Sequence, residues 1–105
     1  MQVVTTSFIT GKNVSTIGIV QGSTVHSKNL GKDLTAGFKT LVGGELKAYS
    51  EMLAEARAIA MNRMIEQAET LGADAVIDVR FSSAAIMQGA AEVLAYGTAV
   101  KFEEE

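Results

Sequence analysis

The apolar positions of the chain fall into four strand-like runs and two helix-like ones. Met1 to Thr6 is short and rich in Val and Thr. Thr16 to Val25 sets Ile17 and Ile19 on one face and Gly18, Val20, Gly22 and Thr24 on the other, the two-residue period of a strand. Gly11-Lys12-Asn13 between them reads as a turn. Leu30, Leu34, Phe38, Leu41 and Val42 then form a single stripe at helical spacing. Asn29 serves as N-cap, Asp33 sits in the first turn and Gly43-Gly44 stops the helix.

Glu45 to Leu71 is the dominant element. It lacks Gly and Pro, is rich in Ala, Leu, Met, Glu and Arg, and ends at Gly72. Leu46, Tyr49, Leu53, Ala56, Ala60 and Met64 form its main stripe, which Met52, Ile59 and Met61 widen. Two further strands follow. Ala75 to Ser83 alternates apolar and polar residues. Val93 to Phe102 has a large face (Leu94, Tyr96, Val100, Phe102) and a small one (Val93, Ala95, Gly97, Ala99), with Gly89 marking the turn before it. The order ββααββ predicts one α+β domain over residues 1–105, a two-layer sandwich of an antiparallel sheet with one long and one short helix.

Composition adds a hint of self-association. Of 105 residues, 48% are hydrophobic and only 20% charged, and a domain this small cannot hide such a surplus alone. The wide helix and the small face of Val93 to Phe102 are where copies are expected to meet. The longest clearly apolar stretch between charges, Phe81 to Ala91, is well short of the ~20 residues that span a bilayer. No basic n-region opens the chain, so a cytoplasmic protein without membrane contact is expected. Five lysines between Lys12 and Lys47 are scattered and lack interleaved aromatics, so no nucleic-acid footprint is read from them. Glu103-Glu104-Glu105 reads as a solubilising tail.

The residue inventory excludes most chemistries. Absence of cysteine removes disulfides, thiolate catalysis and thiolate metal sites. His26 is the single histidine, and no Gly-x-Ser-x-Gly elbow accompanies it. Gly11-Lys12 has Thr6 and Asn13 where a phosphate loop needs glycine and a hydroxyl residue. Glu51 with Glu55, and Glu66 with Glu69, pair on helix faces but read as solvated surface. Met61 and Met64 could offer thioethers, yet read as core. No catalytic residue is assigned and no enzyme is expected. For a metal the candidates are His26 and Asp33, since rotational symmetry repeats each chain's single imidazole around an axis.

Several stretches together resemble one family. They are Val4-Thr5-Thr6, Gly18-Ile19-Val20-x-Gly22, Asn29 with Asp33, Ala36-Gly37, Val42-Gly43-Gly44, Tyr49 and Ala56-Arg57. Gly72-Ala73-Asp74-Ala75-Val76-Ile77, Val79-Arg80-Phe81 and Glu92 through Val100 continue the likeness over nearly the whole length. The chain resembles the YbjQ-like family, a bacterial group described as heavy-metal-binding. That resemblance implies a homopentamer of two-layer subunits in a β/α ring, and a divalent or heavy-metal ion as the implied cofactor. The expectation is a non-enzymatic homo-oligomer that acts as scaffold or binds a small ligand between subunits, with metal binding as the rival.

Overall fold

The computed structural model describes residues 1–27 and 44–104. Four strands and one helix run in the order β1 (Gln2–Val3), β2 (Val14–Ser27), α1 (Gly44–Thr70), β3 (Ala75–Met87) and β4 (Ala90–Phe102). The predicted short helix, Leu30 to Val42, lies outside the described residues.

The strands form one sheet in the order β1-β3-β4-β2. β2 pairs antiparallel with β4 from Val14↔Phe102 to Ser27↔Ala90, and β3 pairs antiparallel with β4. β1, however, runs parallel to β3, with Gln2 opposite Ala75. The sheet is therefore mixed, correcting the expectation of an antiparallel one. The cause is that β1 and β2 are not hairpin partners: they occupy opposite edges, and residues 4–13 carry the chain between them. Ile9 of that connection is buried with Ala75, Ile77 and Val100, while Val4, Val14 and Phe102 pack around them. Burying this apolar side chain holds the crossing on the sheet face away from α1. Gly11, at φ 79°, makes the turn back, closed by the Lys12 N–H to the Ile9 carbonyl at 3.1 Å.

Helix α1 covers the other face. Met52, Ala56, Ala60, Met64 and Ala68 are its buried positions. Ala56, Ala60, Met64 and Ala68 meet Val20, Val76, Val79, Val93, Ala95 and Ala99 in the main core. Small residues on both sides bring the helix close. The small face of β4, expected as a meeting surface for copies, is thus covered by the helix of its own chain. The helix ends in a Schellman motif: Gly72 adopts φ 77°, its N–H donates to Glu69, and the Ala73 N–H reaches back to Ala68 at 3.0 Å.

β3 departs from simple alternation at Asp78, the one described non-glycine residue with positive φ, at 55°. The register slips between Ile77 and Arg80, so this is a bulge. It sends Ile77 to the Ile9 cluster and Val79 to the helix-side core. The Asp78 N–H donates to the Thr6 carbonyl and Ser7 Oγ donates to its carboxylate at 2.9 Å. β3 then runs to Met87, four residues past its predicted end, with every residue from Arg80 onward exposed.

The described residues form a body that is long rather than round. Its radius of gyration is 17.3 Å, with extents of 60 × 22 × 16 Å, whereas a compact domain of this length has a radius of about 13 Å. Beyond the Ile9 crossing, β2, β3 and β4 extend as an arm.

Candidate functional site

The single imidazole sits where β2 leaves the sheet. Strand alternation puts Val20, Gly22, Thr24 and His26 on the side facing α1, and Glu55 meets His26 from the helix. Nε2 of His26 lies 3.2 Å from Oε1 of Glu55, and Nδ1 lies 3.4 Å from the Thr24 hydroxyl. His26, Ser27, Ala48, Glu51, Met52 and Glu55 line a shallow, open cleft of about 280 Å³. Glu51 stands one helical turn before Glu55. Inventory alone picked out His26, and it treated Glu51 and Glu55 as bare surface. What it lacked was the pairing of β2 with α1, which no local spacing encodes.

Hydroxyl, imidazole and carboxylate here follow the order of a hydrolytic triad, but the geometry does not serve one. Thr24 is only 8% exposed, and 3.4 Å is long for an activating hydrogen bond. A metal shell is incomplete, however: among the described residues no three His, Cys, Asp or Glu side chains converge. His26 and Glu55 supply two donors, and Asp33, the second predicted ligand, lies outside the described residues. The described part of one chain therefore does not fit a heavy-metal site by itself.

The remaining sequence candidates have structural roles. Met64 is fully buried, and half-buried Met61 packs against the same core. Lys12 places its ammonium 5.0 Å from the centre of the Phe102 ring, a cation–π contact in place of a phosphate loop. Glu66 and Glu69 are exposed.

A second surface escaped sequence reading, because it is defined by what fails to cover it. Along the arm, Ile19 is 79% exposed, Val25 59% and Ile86 53%, with Phe81 and Met87 also open. Leu94 is half-buried on the same sheet face as Ile19 and Val25. β2 and the Phe81–Gly89 stretch contain no Asp, Glu, Lys or Arg.

These features define a two-layer α+β module: a mixed sheet backed by one long helix, with a histidine–carboxylate cleft and an apolar strand arm. The family model YbjQ_1, described as "Putative heavy-metal-binding", matches residues 1–103, and the chain belongs to that family. A UPF0145 protein of Clostridium novyi is 66% identical over 96% of this chain and 98% of its own length. One from Fervidobacterium nodosum is 62% identical over 99% and 97%. In fold, the chain is similar to a solved protein of unknown function in the DUF74 family from Pediococcus pentosaceus. The two share a TM-score of 0.63 at 14% identity over 98% of both chains. No helix among the described residues is long and apolar enough to cross a membrane.

Proposed function

We propose that the chain is a non-enzymatic, self-assembling module whose copies join through the strand arm and bind a small ligand at or between subunits. The exposed apolar arm carries this reading. Ile19 and Val25 stand in solvent on the sheet face away from α1, beside half-buried Leu94, and Ile86 and Met87 are also exposed towards the end of β3; an apolar surface of that kind on a small chain marks an interaction site. A neighbour made of the same sequence brings a matching surface, and five copies is the number implied by the family resemblance. Light scattering coupled to size exclusion at micromolar concentration tests this. The expected mass is a multiple of 11.1 kDa; a monomer overturns it.

A second reading is a heavy-metal binder in which His26 and Glu55 of one copy are completed by donors from another. The 3.2 Å approach of Nε2 to Oε1 in a cleft that also holds Glu51 favours it, as does the family description. Equilibrium dialysis against zinc, copper and nickel decides it: binding by the wild type and none by His26→Ala supports the reading, and no wild-type binding ends it.

A further inference from the structure

A soft heavy-metal ion such as cadmium or mercury(II) is held by sulfur, above all by thiolates, whereas imidazole suits zinc and nickel and carboxylates suit harder ions. The whole chain has no cysteine and one histidine, so its only soft donors are five methionine thioethers. A thioether carries no charge, and packing holds three of the five. Met64 is fully buried, Met52 is 8% exposed, and half-buried Met61 packs against the main core.

The two exposed thioethers stand at opposite ends of the molecule. Met1 precedes Gln2, which pairs with Ala75 at the start of β3, and Met87 ends that strand. At about 3.3 Å per residue, the length of β3 sets them roughly 40 Å apart. One chain therefore cannot bring both to one ion. Met52 is the sulfur that lines the cleft, beside His26, Glu51 and Glu55. The cleft thus presents one imidazole, two exposed carboxylates and a single neutral, largely buried thioether.

Assembly does not change the kinds of donor. A neighbouring copy repeats imidazole, carboxylate and thioether, and no number of copies adds a thiolate. We infer that this chain is not built to hold soft, thiophilic ions of the cadmium class, and that its donors favour a borderline or hard divalent ion such as zinc or nickel. The family description and the donor set of this chain disagree on this point. The disagreement stands whether or not a second copy completes the His26–Glu55 pair, so it does not depend on the metal reading of the cleft.

Competition dialysis tests it on the wild-type protein. Because the chain has no cysteine, no thiol reductant is needed, and none is present to trap cadmium. The protein is dialysed against equimolar zinc and cadmium over a range of free concentrations, and both retained metals are quantified by mass spectrometry. The expected result is cadmium retained at or below the level of zinc throughout. Cadmium retained stoichiometrically and preferred over zinc by about tenfold or more, as a sulfur site would prefer it, overturns the inference. Retention of zinc in preference supports it. Retention of neither ion also supports it, and that outcome separately ends the metal reading of the cleft.

Discussion

Gly22 of β2 lies directly under Ala60 of α1: a β-carbon at position 22 would stand 2.5 Å from the Ala60 carbonyl oxygen and would also strike the Met64 nitrogen. Both are backbone atoms of a helix packed on the sheet from Met52 to Ala68, so neither can swing aside. Gly22→Ala must push the helix from the sheet and loosen the contacts of Val20, Ala95 and Met64 together. Overpacking of this kind costs ~1–3 kcal/mol and sometimes more, and the upper end is expected here. Chemical denaturation of the variant should show the loss as a lower midpoint, with the same slope if the native state stays compact.

Asp78 carries the bulge that splits Ile77 and Val79 between two cores. Its φ of 55° is tolerated by Asp, Asn and Gly and resisted by β-branched residues. Asp78→Val should lose ~1–2 kcal/mol from backbone strain, and further stability from the severed Ser7 hydrogen bond. Asp78→Gly removes the same hydrogen bond without the strain. Thermal melts of the pair separate the two effects, and Asp78→Gly should lie much closer to wild type.

That bulge also shows where sequence reading stops. The long helix was legible to within a residue at each end, because a Gly-free run of strong helix formers closed by Gly72 is a local signal. The faces of β2 were legible for a similar reason: Val20, Gly22 and Thr24 alternate without interruption. Residues 75–83 alternate just as well, yet one residue in the left-handed region reverses the faces midway. The parallel pairing of β1 was equally hidden, since it depends on Ile9 crossing the sheet to meet Ala75 and Val100. At the site, His26 stood out by being unique, whereas Glu55 resembled any other surface carboxylate until β2 was laid against α1.

Asp74 ties the end of the helix to the end of β4. Its Oδ2 accepts from the Phe102 N–H at 2.8 Å, its own N–H donates to Val100 at 2.9 Å, and Oδ1 lies 3.7 Å from the Lys101 ammonium. Asp74→Ala leaves the part-buried Phe102 N–H without its acceptor. A loss of ~1–3 kcal/mol is expected, most of it from that N–H, because the Lys101 pair is largely solvated. Lys101→Ala should therefore cost much less than Asp74→Ala, and denaturant midpoints of the two variants test the ordering.

His26 separates binding from stability. Its partner Glu55 has a side chain 69% exposed, and a polar contact that open to solvent contributes little to folding. His26→Ala should consequently shift the wild-type melting temperature only slightly. If the cleft binds a cation, zinc or nickel should raise the melting temperature of the wild type by mass action and leave His26→Ala unmoved. Glu55→Gln provides the second arm, since it keeps the shape of the cleft and a hydrogen-bonding oxygen while removing the charge. A metal-induced shift lost in His26→Ala and reduced in Glu55→Gln would assign both side chains to the bound ion; an equal shift in all three proteins would place the ion elsewhere.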